Sequence, residues 1–409
     1  MGNRHYQLKC IDTENSYKEF NLSKGFDNQK SFDKQIIGYE TTTNDLENNN
    51  NVSTTHKKRI VVSAGGTGGH IIPALSVCKA LLREKADVFY IGNEKSMEAD
   101  IITKNKIPFY AINVQKLYRN FTLKHLLFPF KLIKSIAKCV KYLRSIKPDA
   151  FIGFGGFVAG PPAIAAWLCR IPIYLQEQNC KPGLTNIWTG RFATAVFLAY
   201  EESKKYFKNA RVFVTGNPVL TAENALKSKK TYIASKKLLI LGGSQGSKFI
   251  NNLILEHLEW FKENNIELIW QTGTKHLDAI QEKTSNFKTP ITIFSFTDSL
   301  RQFYAQADYV ISRGGALTLA EIEIHQIPAF VIPLSTAAVN EQYHNAKNMQ
   351  NRNMGVMFEE KDRELFIDNF MTFIKNANKM YQGSGKSIHL TAAKNIADVL
   401  LNKCGSRNE

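Results

Sequence analysis

The chain of 409 residues is short of acidic side chains: 36 Asp and Glu stand against 53 Lys and Arg, a formal charge of +17. That imbalance points to an anionic partner, whether nucleic acid, anionic lipid or a phosphorylated substrate. Cysteine pairs are missing too. Six cysteines (Cys10, Cys78, Cys139, Cys169, Cys180, Cys404) are scattered with no C-x-x-C spacing, so a disulfide framework or a thiolate metal site has no support, and buried or free thiols are the plain reading. No apolar run reaches the about 20 residues of a membrane span. The first residues, "MGNRHYQLKCIDTENSYKEF", lack the apolar core of a signal peptide, so the chain reads as cytoplasmic. No recognisable RNA- or DNA-binding module is present, which sets nucleic acid aside as the anionic partner.

What is present is an ordinary supply of core-forming residues, 44% hydrophobic, in a length that suits two domains. Residues 1–57 differ: they are polar, end in "TTTNDLENNNNVSTTHKK", and cannot bury enough apolar surface to offset the entropy of ordering. A disordered extension is expected there. From Arg59 onward short apolar strands alternate with helical patterns: Arg59–Ala64, Asp87–Gly92, Asp149–Phe154, Ile171–Leu175, Ala195–Ala199, Leu238–Leu241, Glu267–Gln271, Asp308–Ser312 and Ala329–Pro333. Strands of this kind are covered on both faces, and the alternation predicts parallel α/β sheets with right-handed crossovers. The turn "TGNPV" (Thr215–Val219) and the lysine-rich stretch after it mark a boundary. The division expected is 58–219, 220–400 and a tail 401–409.

Each half opens with the same device. Arg59–Ala64 runs into "GGTGGH", and Lys237–Leu241 into "GGSQGS". Glycine after a strand lets backbone approach a ligand closely, and the helix behind it offers unpaired N–H groups and a positive dipole end, which suits phosphate. "SRGGALTLAEI", with Gly314 and Gly315, and "FIGFGGFVAGPPA", with Gly155 and Gly156, repeat the pattern. Tight strand–helix turns alone explain any one of these loops. Four at the C-terminal ends of strands point to the edge where open α/β sheets bind ligands. The dinucleotide fingerprint G-x-G-x-x-G is absent from both loops, although Glu94 lies near the end of the second strand. His70, at a helix start beside the glycines, is either structural or a near-neutral base. Glu321, early in the helix after Gly315, is either a dipole partner or a bidentate acceptor for two ribose hydroxyls.

"GGTGGHIIPA", "GFGGFVAGPPAIAAW", "QEQNCKPGLTN", "TGNPV", "GGSQGS", "SRGGALTLAEI" and "NEQYHNA", in that order from Lys58 to Val399, closely resemble the MurG family. The resemblance implies two Rossmann-like domains facing a cleft, the glycosyltransferase B fold. It implies inverting transfer of N-acetylglucosamine from UDP-N-acetylglucosamine to the C4 hydroxyl of the muramyl sugar of lipid I, giving lipid II. No metal and no cofactor are implied, and the chain has no D-x-D pair to hold a divalent cation. Another UDP-sugar-dependent lipid glycosyltransferase of the same fold is the alternative.

By similarity, Gly243, Ser244, Gln245 and Gly246 approach the nucleotide diphosphate. Ala316, Leu317, Thr318, Leu319 and Ala320 form the helix start on its other side. Phe296 and Thr297 match the uracil contacts, Glu321 the ribose ligand, and Gln342 and Asn345 the side chains that read sugar hydroxyls. Asn179 matches a cleft residue of the first domain. Thr67, Gly68 and Gly69 match the loop at the cleft mouth, and His70 or Glu177 is the candidate for activating the acceptor. Three positions depart from the family pattern: Leu220 where arginine is common, Gln176 in place of the histidine of "HEQN", and Phe157 in place of a tyrosine. The last two thin the polar groups expected on the acceptor side.

Asn120–Asp149 predicts a helix with Phe130, Ile133, Ile136, Val140 and Leu143 on one side and Lys131, Lys134, Lys138 and Lys141 on another. A solvated lysine face explains the periodicity by itself. Docking of the lysines and "LLFPF" on an anionic membrane surface is compatible with it, and places the protein peripherally on the cytoplasmic face of the inner membrane, where the resemblance puts lipid I.

Overall fold

The computed structural model describes residues 57–114, 128–220, 236–243, 245–287, 290–297, 300–334, 340–382 and 385–402. Nearly all of the expected N-terminal extension, most of the lysine-rich stretch after "TGNPV", Ser244 and all but the start of the tail lie outside these residues.

In the first lobe the strands are β1 (Arg59–Ser63), β2 (Asp87–Asn93), β3 (Phe109–Ile112), β4 (Ala150–Gly153), β5 (Ile173–Glu177), β6 (Ala195–Leu198) and β7 (Arg211–Val214). The helices are α1 (Gly68–Arg83), α2 (Met97–Lys104), α3 (Phe128–Ile146), α4 (Gly160–Leu168) and α5 (Leu184–Thr189). The second lobe carries β8 (Lys236–Leu241), β9 (Ile266–Gln271), β10 (Ile291–Phe294), β11 (Tyr309–Ser312), β12 (Ala329–Val331) and β13 (Gly355–Met357). Its helices are α6 (Lys248–Glu256), α7 (Leu258–Glu263), α8 (Leu277–Thr284), α9 (Arg301–Gln306), α10 (Ala316–His325), α11 (Glu341–Asn351) and α12 (Phe366–Asn376), and α13 (Ala392–Leu400) follows.

Among the described residues every strand pairing is parallel. The first sheet runs β3-β2-β1-β4-β5-β6-β7 and the second β10-β9-β8-β11-β12-β13. The central strands are apolar along their whole length because helices cover both faces. One face of the first sheet buries Ile60, Val62, Leu75 and Phe154; the other buries Val61, Phe151, Leu143 and Leu175. The strands not read from the sequence are β3, β7, β10 and β13, and these are the four sheet edges. Edge strands pair on one side only, are short, and need less apolar character; Arg211 and Val214 at the ends of β7 are exposed.

The second lobe does not run to residue 400. Ile396, Ala397 and Leu400 of α13 are buried in the core of the first lobe with Leu75, Val77 and Leu81 of α1. The apolar side of α13 complements α1, so the chain crosses between lobes twice, near Asn217 and near His389. The expected division at 219/220 marks only the first crossing.

Candidate active site

Both sheets reverse strand order at one point: between β1 and β4 in the first, and between β8 and β11 in the second. All four glycine loops follow these four strands. Chain topology thereby leaves a crevice at each reversal, at the carboxyl ends of the strands.

In the first lobe the loops after β1 and β4 are pressed together. Gly155 and Gly156 have φ of +84° and +74°. A Cβ on Gly156 would sit 2.3 Å from the Gly65 carbonyl oxygen, and one on Gly65 would strike Glu98 and Val158. Thr67 precedes α1 without a side-chain cap; its Oγ1 lies 3.1 Å from His70 Nδ1. His70 is half-buried, and desolvation pushes its imidazole down to about 4. It is therefore a neutral ring at neutral pH, able to accept a proton. No hydrogen bond engages its Nε2 among the described residues.

Glu177, at the end of β5, is differently placed. Its carboxyl group is buried and accepts from the Asn179 backbone N–H (3.0 Å), Asn179 Nδ2 (3.2 Å), the Gly183 N–H (3.2 Å) and Asn186 Nδ2 (2.9 Å). Burial pushes its pKa up to about 7, against the pull of these donors toward the ionised form. Glu177, one of the two candidates for activating the acceptor, fixes the loop that carries Asn179.

In the second lobe Gly243 (φ +85°) and Gly246 (φ +76°) shape the loop after β8; a Cβ on Gly246 would fall 2.1 Å from the Thr272 carbonyl oxygen. Gln245 is exposed at its tip, and Ser247 Oγ caps α6 through the Ile250 N–H. Across the crevice, α10 begins at Gly315 with no side-chain cap and no acidic residue in its first turn. The N–H groups of Ala316, Leu317 and Thr318 remain available to an anion. Leu319 and Ala320 are fully buried and anchor the helix, so they line no site directly. Glu321, half-buried, accepts from Tyr304 Oη at 3.0 Å, and burial pushes its carboxyl up to about 7 against that bond. Phe296 follows β10 with 47% of its surface exposed, and Thr297 is beside it. Gln342, in the first turn of α11, accepts from the Leu334 N–H.

Asn345 spans the two lobes. Its Oδ1 accepts from the Cys180 N–H (2.9 Å), and its Nδ2 donates to Asn179 Oδ1 (3.0 Å) and to the Gly314 carbonyl (3.2 Å). Both amide hydrogens are thereby engaged, and the side chain expected to read sugar hydroxyls also ties the lobes together.

The sequence profile of the glycosyltransferase family 28 N-terminal domain matches residues 60–198, and that of the family 28 C-terminal domain matches residues 237–400. A protein of Francisella tularensis strain WY96-3418, named UDP-N-acetylglucosamine–N-acetylmuramyl-(pentapeptide) pyrophosphoryl-undecaprenol N-acetylglucosamine transferase, is 37% identical over 358 residues, covering 83% of this chain and 95% of the relative. The chain belongs to glycosyltransferase family 28. A Coxiella burnetii (strain Dugway 5J108-111) protein of the same name is 31% identical over 334 residues, 78% of this chain and 92% of its own length. The crystal structure of Acinetobacter baumannii MurG superposes with a TM-score of 0.69 at 27% identity, covering 84% of this chain and 99% of that one. A UDP-GlcNAc 2-epimerase from Neisseria meningitidis, bound to UDP-GlcNAc, shares the fold alone at 17% identity and a TM-score of 0.59, over 85% of this chain and 100% of that one.

This family 28 member holds its lobes through a network the sequence did not reveal. The Asn217 N–H donates to His389 Nδ1 at 2.7 Å, which places the ring proton on Nε2, 3.4 Å from Glu323 Oε2. Arg352 grips Glu323 with two nitrogens at 3.0 and 2.9 Å. Burial works to raise the Glu323 carboxyl; His389 and Arg352 outweigh it and hold it below its usual range. Gln176 belongs here as well. It is fully buried, donates to Asn217 Oδ1 and accepts from Gln178 Nε2. The residue that departs from the family pattern is thereby tied to Asn217, at the first crossing. Val219 and Leu390 pack on Ala320 and Ile324, so both crossings rest on α10. The signal for this role is a lone His389 and a mid-helix Glu323, which sequence cannot distinguish from surface residues.

Proposed function

We propose that this chain transfers N-acetylglucosamine from UDP-N-acetylglucosamine to the C4 hydroxyl of the muramyl sugar of lipid I, forming lipid II with inversion. The observation that carries the reading is α10: an uncapped helix N-terminus facing the glycine loop after β8, with Glu321 on the same helix. A diphosphate takes the N–H groups of Ala316–Thr318 and those of the Gly243–Gly246 loop, ribose hydroxyls reach Glu321, and uracil packs on Phe296 with Thr297 beside it. The names of the curated relatives support the substrate pair.

Chemistry then needs charge stabilisation at the leaving diphosphate and a base at the acceptor hydroxyl. Helix N-termini and backbone N–H groups supply the first without reorganisation. His70 supplies the second. In the tautomer whose Nδ1–H donates to Thr67 Oγ1, Nε2 is the acceptor that takes the C4 proton as the oxygen attacks the anomeric carbon. Gln342 orients the sugar, and Glu177 and Asn179 hold the loop of the first lobe against the second.

Membrane attachment runs through α3. Its buried side is Ser135, Cys139, Leu143 and Ile146, with Ile136 and Val140 at the margin. Phe130 and Ile133 are 72% and 64% exposed, beside exposed Lys131 and Lys134. Apolar tips among lysines suit the headgroup boundary of an anionic bilayer; Leu126 and Leu127 lie outside the described residues. No described helix is long and apolar enough to cross a membrane. The attachment proposed is peripheral, on the cytoplasmic face.

The test is transfer from UDP-N-acetylglucosamine to a lipid I analogue in EDTA, with diacylglycerol as the competing acceptor. Product with the analogue alone is expected. Turnover of diacylglycerol alone, or activity that needs added magnesium or manganese, overturns the reading.

A further inference from the structure

Tyr304 sits in α9, a short helix with no glycine loop and no resemblance to a ligand-binding motif. Its ring is buried in the core with Phe303, Leu319 and Ile322, and stacks on His325 with centroids 5.0 Å apart. Phenylalanine would satisfy all of that packing. The hydroxyl alone is left to explain, and its single proton goes to Glu321 Oε2. Burial and the neighbouring Glu321 push the phenol well above its usual range, so it remains a donor at any working pH. No other hydrogen bond reaches the Glu321 carboxyl among the described residues.

We infer that Tyr304 is a positioning residue for nucleotide binding: its hydroxyl holds the Glu321 carboxyl by one oxygen and turns the other toward the ribose. The inference rests on the reading of Glu321 as the ribose ligand. A half-buried carboxylate is a strong acceptor only if ionised and fixed in one rotamer. Tyr304 does both, because a donated hydrogen bond favours the charged form and restricts the side chain. Among the described residues, the titratable groups that face this carboxyl are Tyr304 from α9 and, one turn along α10, His325 against the Tyr304 ring; the core residues between the two helices are apolar. Ribose hydroxyls donate to the ionised form, so nucleotide affinity should rise with pH through about 7 and level off above it.

Calorimetric titration of the full chain with UDP between pH 6 and 9, each affinity corrected for the ionisation of the terminal phosphate of UDP itself, tests this. Tyr304→Phe should weaken UDP binding at least about tenfold at pH 7, the loss expected when a charged group loses one hydrogen bond. The deficit should shrink toward pH 9, where the carboxyl ionises unaided. Glu321→Gln keeps one acceptor oxygen and cannot titrate, so its corrected affinity should not change with pH. If Glu321→Ala binds UDP weakly while Tyr304→Phe matches the parent at every pH, Tyr304 has no part and the ribose reading stands. If Glu321→Ala binds as the parent does, the ribose reading and this inference fall together. A Tyr304→Phe deficit that is the same at all pH values and accompanied by a lowered unfolding temperature reduces the hydroxyl to a structural role. Parent-like pH dependence in Glu321→Gln overturns the inference even if Tyr304→Phe does not fold.

Discussion

Ile396→Ala should damage the first lobe, although residue 396 follows the whole of the second. Its side chain is 0% exposed, and it packs in the α1 core. Truncating a buried isoleucine costs about 2–5 kcal/mol through lost transfer energy and the cavity left behind. The lower half applies here, because α13 is a short terminal helix that can settle toward α1, so about 2–3 kcal/mol is expected. Hydrogen exchange read by mass spectrometry localises the loss, since sub-global opening is governed by the unit that opens. Peptides from β1, α1 and β2 should exchange about 30- to 150-fold faster, the factor to which that energy converts. Peptides from β8, β9 and β11 should hold their protection. Acceleration confined to the second lobe would show that α13 belongs there, and that the buried face it shares with α1 contributes nothing to folding.

His70→Ala should lower turnover about 10²- to 10⁴-fold, as loss of a general base does, while UDP affinity by calorimetry holds; intact turnover removes His70 from the chemistry. The neutral ring is the base and protonates only as pH falls through about 4, so at saturating donor, where the Glu321 ionisation no longer limits binding, the parent should keep its kcat down to about pH 5, and an acid limb in kcat near 6.5 would contradict the desolvated environment. Asn345→Ala deletes three hydrogen bonds between and behind the lobes, each worth about 0.5–1.5 kcal/mol net, and should raise the radius of gyration in small-angle scattering; an unchanged curve shows the bridge is dispensable. Replacing Lys131, Lys134, Lys138 and Lys141 by glutamate removes about 1 kcal/mol per lysine at an anionic surface. Co-sedimentation with anionic vesicles should fail while a soluble acceptor is still turned over, and parent-like sedimentation makes the stripe a solvated face only.

The central strands and the glycine loops were legible because each answers to local rules: continuous burial on two faces, and backbone that must approach a neighbour or a ligand. The register of those loops with the strand reversals followed from chain order. Beyond local rules the reading thinned. β7 was missed because an edge strand tolerates Arg211 and an exposed Val214. The side of α3 shared by Phe130, Ile133, Ile136, Val140 and Leu143 was legible, but not that Phe130 and Ile133 are exposed, since an amphipathic period shows which residues share a side and not how far along the helix the core extends. Asn345 and Glu177 were recognised as special, yet their partners lie across the fold, and whether a polar side chain meets a ligand or another polar side chain depends on that geometry. Tyr304 carried no signal at all; nothing separates it by type from the other tyrosines, 15 in total.

The double crossing has a consequence for how such a molecule can be inherited or rebuilt. The second lobe is topologically an insert within the first, and the strands of chain that enter and leave it meet at one hydrogen bond, from Asn217 to His389. A module whose two ends lie side by side can be excised and replaced without stretching its host, which is the geometry that tolerates domain insertion. Exchange of the nucleotide-binding half between related enzymes therefore requires two joints rather than one. Both must be cut at that contact, and α13 must stay with the recipient. A chimera joined once, in the segment after Val219, brings a foreign final helix to α1 and fails at a surface far from either substrate.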